Sequence, residues 1–316
     1  MTVAGPHDVL TMGRVGVDLY PLQSGVRLAD VTTFAKFLGG TATNVAVGAA
    51  RYGHQAAVIT KVGDDPFGVY VREALRRFGV DDRFVGTDPE LRTPVVFTEL
   101  FPPDSFPILF YREPKAPDMN LTLDELDLDA VRTARIFWTT GTGLSDEPSR
   151  AATLGALEAR GRSGITVHDL DYREMFWLSP AEAGRYQREA LAQATVAVGN
   201  REEASVAVGE DEPEAQAKRL LDLGLDLAVI KLGPGGVLVA SRDGMERVAP
   251  VSIEVVNGLG AGDGFGAALC HGLLNEWELG RTIRFANAAG AYVAGQLACA
   301  DAMPTEEQIE ELLARA

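Results

Sequence analysis

Asn257-Gly258-Leu259-Gly260-Ala261-Gly262-Asp263-Gly264-Phe265-Gly266 is the stretch that decides how this chain is read. Ahead of it, Ser252 to Val256 predicts a buried strand. Behind it, Phe265, Leu269 and Leu273 recur every four residues, as on a helix face turned to a core. Small residues at a helix mouth leave free amides pointing outward, where the helix dipole also favours an anion. A carboxylate in that place, Asp263, is unexpected unless the anion needs a base beside it. Phosphoryl transfer to a hydroxyl has that requirement: amides for the phosphate oxygens and a carboxylate for the hydroxyl proton.

Working outward, apolar strands and helical stretches alternate. The pattern predicts strands at Val9 to Val17 (ending in Asp18), Ala56 to Val62, Ile136 to Thr140, Ile165 to Asp169, Val196 to Gly199 and Leu227 to Lys231. Helices are predicted at Thr43 to Tyr52, Phe67 to Phe78, Glu147 to Arg160, Ala181 to Ala192, Glu202 to Gly209, Ala215 to Leu223 and Glu306 to Leu313. Such alternation favours a mainly parallel sheet with helices on both faces. Ligands then gather at the carboxyl ends of the strands. Tyr20–Phe37 and Thr93–Arg112 break the rhythm: they are extended, Pro-punctuated and without helical period. A small sheet over the site and two surface hairpins fit them equally.

The 316 residues are 46% hydrophobic, enough for a full core. A net charge of −16 argues against nucleic acid and anionic membranes as partners. It also requires that an anionic substrate be held by local cations and amides. Two cysteines, Cys270 and Cys299, offer no disulfide framework, and the N-terminus shows no basic-then-apolar leader. An intracellular, cytoplasmic enzyme is the expected class. No GxxxxGK[ST], GxSxG or Rossmann GxGxxG after the first strand is present, and the four histidines lack metal-ligand spacing.

Four further motifs have bland readings when taken alone. Gly39-Gly40-Thr41-Ala42-Thr43-Asn44 permits close backbone approach, or is a turn with a Thr43 cap. Asn200 and Glu203, three apart, suit a hydrated Mg²⁺, or form a capping box. Lys231-Leu232-Gly233-Pro234-Gly235-Gly236 joins two apolar strands as a Gly-rich hairpin. Arg112 and Arg173 have the forks that suit a carboxylate, though most arginines are surface residues.

Taken in order, Gly39-Gly40 with Asn44, Asn200 with Glu203, Gly233–Gly236 and Gly260-Ala261-Gly262-Asp263 resemble the signatures of the ribokinase-like PfkB family of carbohydrate kinases. The resemblance spans the whole chain. It implies a single α/β domain over 1–316, an αβα sandwich with a mainly parallel sheet and a small β-sheet lid near 18–37 and 92–113. It implies Asp263 as base and the amides of Gly260, Ala261 and Gly262 as the anion hole. Asp18, Gly40, Asn44, Tyr111, Arg112 and Arg173 would hold the substrate. Asn200, Lys231, Gly233, Gly236 and Asn287 would lie along ATP, with Glu203 reaching Mg²⁺ through water. Homodimers through the lid and a monovalent cation such as K⁺ fall within the same expectation. Gly13 to Pro21 and Tyr111 to Met119 resemble the family's kinases of deoxy keto sugar acids, that of inositol catabolism ahead of those for 2-keto-3-deoxygluconate. The expected acceptor is therefore the terminal hydroxyl of 5-dehydro-2-deoxygluconate. One departure stands out: the family usually reads Asp-Thr-x before the Gly-Ala-Gly-Asp, where this chain has Asn257-Gly258-Leu259.

Overall fold

The computed structural model describes residues 6–315. The central sheet contains β1 (Val9–Met12), β4 (Ala56–Gly63), β5 (Val85–Asp88), β8 (Ile136–Thr140), β9 (Ile165–Asp169), β10 (Val196–Asn200), β11 (Leu227–Lys231), β12 (Val237–Ser241) and β13 (Gly244–Val248). Their order is β13-β12-β11-β10-β9-β8-β1-β4-β5. All pairs are parallel except β11 with β12 and β12 with β13. A separate sheet of four strands comprises β2 (Gly16–Pro21), β3 (Phe34–Gly39), β6 (Val95–Thr98) and β7 (Ile108–Tyr111), in the order β3-β2-β6-β7.

Ten helices are present among the described residues: α1 (Thr41–Arg51), α2 (Pro66–Arg77), α3 (Leu128–Thr133), α4 (Ser149–Arg160), α5 (Pro180–Leu191), α6 (Arg201–Val208), α7 (Pro213–Asp222), α8 (Ala261–Leu274), α9 (Leu279–Ala294) and α10 (Glu306–Arg315). Alternate residues of each strand serve opposite layers. Val9, Val58, Trp138 and Val229 pack with α1, α2, α8, α9 and α10. Leu10, Met12, Ile59 and Phe137 pack with α3, α4 and α5, while Ala197, Ala228 and Ile230 pack with α6 and α7. The sandwich follows from burying both faces of the same apolar strands.

Two expectations need correction. The single strand predicted from Val9 to Asp18 is two strands in two sheets, interrupted at Gly13-Arg14-Val15. A Cβ at Gly13 would stand 2.8 Å from Thr140 Oγ1, so the chain crosses there only as glycine. Continuous hydrophobicity concealed the break, because both halves are buried. Ser252 to Val256 is not a strand: its burial alternates, but it pairs with no neighbour, and the amides of Val256 and Asn257 both donate to Ala294 O (2.9 and 3.0 Å). Alternation reports which face is covered, and says nothing about which strand lies alongside. The two irregular stretches form the small sheet and not independent hairpins.

Candidate active site

The α8 mouth is built as its small residues require. Gly260 precedes the helix with φ of 80°, and a Cβ there would lie 2.6 Å from Cys299 Sγ. Gly264 N–H makes the first bond back, to Gly260 O (2.9 Å). The amides of Gly260, Ala261, Gly262 and Asp263 are therefore left without helical acceptors. Asp263 Oδ2 accepts from Asn44 Nδ2 on α1 at 2.7 Å, while Asn44 Oδ1 is buried with no partner. Burial pushes the Asp263 carboxyl up to about 6, against the opposing pull of the Asn44 bond. Gly40 sets the start of α1: its φ is 106°, and a Cβ would land on the Arg14 carbonyl.

Facing Asp263 across a cleft are β2 and β7 of the small sheet. Asp18 lies mid-strand in β2, and burial raises its carboxyl to about 6 despite a bond from Tyr20 OH (2.6 Å). The Tyr20 oxygen is 2.9 Å from Cys299 Sγ. Ile108, Phe110 and Arg112 point into the cleft, as residues two apart on a strand should. Tyr111 therefore points the other way. It is 62% exposed on the outer face of the small sheet, beside Phe97, which removes it from the site.

Three guanidinium groups reach this cleft. Arg14, to which the sequence reading gave no role, donates to Asp171 Oδ2 (3.0 Å), Thr41 Oγ1 (2.7 Å) and Thr142 Oγ1 (2.9 Å). Arg112 forks onto Asp118, whose Oδ2 also accepts from Val15 N at 2.9 Å. Arg173 Nε is 3.2 Å from Asp171 Oδ1 but makes no hydrogen bond. Although burial pushes Asp171 up, Arg14 and Arg173 hold it well below the usual carboxylate range. Three arginines thus share two aspartates as direct partners, with the Asp18 and Asp263 carboxyls on the same cleft, and Arg173 is the arginine whose side chain makes no hydrogen bond. Asp171 was visible in the sequence beside Asp169 and Arg173, but nothing in the spacing linked it to Arg14, which lies 157 residues away.

On the other side of the α8 mouth, Asn200, Lys231, Leu232, Gly233 and Arg247 line a second cleft of about 460 Å³. Asn200 and Glu203 form the capping box: Glu203 N donates to Asn200 Oδ1 (2.9 Å), and Asn200 N donates to Glu203 Oε2 (2.7 Å). Glu203 Oε1 stays unengaged, so the bland reading of this pair is correct without exhausting it. Two expected residues fall outside the cleft. Gly236 turns against β13, where a Cβ would land on Val248 O, and Asn287 Nδ2 donates to Ala249 O at 2.8 Å.

Asn257 is fully buried; its Nδ2 donates to Leu297 O (2.7 Å) and its Oδ1 accepts from Leu259 N (3.0 Å). A carboxylate would make only the second of these bonds. No helix among the described residues is long and apolar enough to cross a membrane.

A pfkB family carbohydrate kinase profile matches residues 6–306. A 5-dehydro-2-deoxygluconokinase of Photobacterium profundum is 34% identical over 316 residues, covering 98% of this chain and 95% of its own. Among solved structures, an uncharacterized sugar kinase of Pyrococcus horikoshii in complex with ATP superposes with a TM-score of 0.80, at 27% identity over 96% of this chain and 99% of its own. A fructokinase double mutant of Vibrio cholerae, in a form binding fructose, ADP and potassium, gives a TM-score of 0.86 at 25% identity, covering 98% and 99%.

Proposed function

The chain belongs to the pfkB family of carbohydrate kinases, and from that membership we propose that it transfers the γ-phosphoryl group of ATP to the terminal hydroxyl of 5-dehydro-2-deoxygluconate. The observation that carries the reaction is Asp263, a carboxylate held by Asn44 beside the free amides of a helix mouth between two clefts. Asp263 takes the proton of the acceptor hydroxyl as it attacks. Asn44, with Nδ2 on the base and Oδ1 unpartnered, accepts from the acceptor and aligns it with that base. The amides of Gly260, Ala261 and Gly262, joined by that of Asp263, meet the negative charge that spreads over the transferring group. Asp18 binds sugar hydroxyls.

Arg173, a guanidinium that lines the acceptor cleft and makes no hydrogen bond, supports an acid as acceptor and is its contact. Arg14 and Arg112 build the wall behind it. The second cleft suits the nucleotide, with Asn200, Lys231 and Gly233 along it. Mg²⁺, when bound, neutralises phosphate charge, and Glu203 Oε1 is the oxygen free to hold it through water. We assign no monovalent cation to Asn257–Leu259, where a neutral amide already donates to the Leu297 carbonyl. The exposed apolar outer face of the small sheet, with Phe34, Leu109 and Tyr111, supports pairing with a second copy. The use of ATP as donor supports a cytoplasmic location.

Asp263→Ala tests the assignment of the base. Turnover in a coupled ADP assay should fall on the order of 10²–10⁴-fold with the fold retained, whereas near-normal turnover would place the base elsewhere.

A further inference from the structure

Lys231 stands at the end of a central strand, against the mouth of α8. It closes β11, in register with Asn200 on β10, and lines the nucleotide-side cleft. Its Nζ lies 3.0 Å from the place a Cβ would occupy at Gly262. The next residue, Asp263, lines the acceptor cleft. The ammonium therefore sits at the wall shared by both clefts, against the anion loop itself. Among the described residues the lysine ion pairs are those of Lys61 and Lys115, and Lys231 has none. Burial works against its charge, but the carboxylates of Asp169, Glu203, Asp263 and Asp171 act from farther off and raise its pKa.

We propose that Lys231 is a catalytic residue that contacts the transferring phosphoryl group, a fixed cation between donor and acceptor; this rests on the kinase reading above. Those carboxylates would oppose an incoming polyanion. Backbone amides answer with partial charges only, while the charge on the moving group is spread over three oxygens. A full positive charge beside Gly262 meets it during transfer, where such stabilisation is largest. Glycine at 262 leaves the space the ammonium fills.

The test compares nucleotide binding by calorimetry, without acceptor, in Lys231→Met and the wild type. ADP affinity should change by no more than about threefold and that of the non-hydrolysable AMP-PCP should fall ~10-fold or more, as expected for a charge-assisted contact to the third phosphate alone. Turnover should drop by ~10²–10³-fold. Equal weakening of both nucleotides would move Lys231 to the inner phosphates or ribose and overturn the proposal, as would unchanged binding of both. Thermal melting checks the fold, and Lys231→Gln serves the same comparison if the methionine variant does not fold. Lys231→Arg, which keeps the charge, should retain AMP-PCP affinity within about threefold; a loss equal to that of the methionine variant contradicts the charge role. Because no acceptor is present, a wild type inert toward the keto acid would sink the substrate assignment and leave this comparison standing.

Discussion

Asp263 and Asn44 form the smallest unit on which the chemistry depends. Burial holds the Asp263 proton up to about 6, and the Asn44 donor works against burial by favouring the charged form. The base is active only when deprotonated. Activity should thus be full at neutral pH, and kcat/KM should fall as pH drops through about 6. Asp18 titrates in the same range, so the limb alone does not identify its owner. Asn44→Leu does, because losing the donor removes the influence that lowers the Asp263 pKa. The acid limb should move to higher pH, and a limb that stays in place would show that Asp263 does not set it. Part of this was legible in the sequence: Gly260–Asp263 stood out as small residues and a carboxylate at a helix mouth, while Asn44 entered only through the family resemblance, as a substrate contact. Their 2.7 Å contact was not, since 219 residues separate them.

Strand alternation explains both the success and the failure of the lid assignments. Tyr111 and Arg112 are adjacent in sequence and look like one motif, yet the two-residue period sends them to opposite faces. Arg112 then spends its fork on Asp118, leaving Arg173 as the freer cation. Arg173→Gln should therefore lower kcat/KM for the keto acid by ~10–100-fold, the weight of hydrogen bonds to a charged group, and affect fructose far less. Tyr111→Ser should leave the preference for acid over neutral sugar unchanged. Equal losses on both substrates in the Arg173 variant would remove it from the carboxylate contact. The break at Gly13 escaped the sequence for a related reason. Hydrophobic pattern shows that β1 and β2 are buried but not that they lie in different sheets.

At the scale of the molecule, alternation of strands and helices was enough to predict the three layers and the helix mouth at the strand ends. Strands β8, β9 and β11 fall at the predicted bounds; β11 is an apolar run closed by Lys231, while β8 and β9 carry threonine or histidine before their closing Thr140 and Asp169. What the sequence did not reveal is long-range pairing. The Arg14–Asp171 and Arg112–Asp118 pairs, and the Asn257–Leu297 link, join segments with no common period. The two ion pairs build the wall of the cleft in which we propose that an acid is held, so the identity of the acceptor is what most needs testing. It is tested most directly by measuring kcat/KM for the wild type with ATP and Mg²⁺ on 5-dehydro-2-deoxygluconate, 2-keto-3-deoxygluconate, fructose and ribose. The highest value is expected for 5-dehydro-2-deoxygluconate and the lowest for the neutral sugars. A neutral sugar phosphorylated as well as either acid would contradict it.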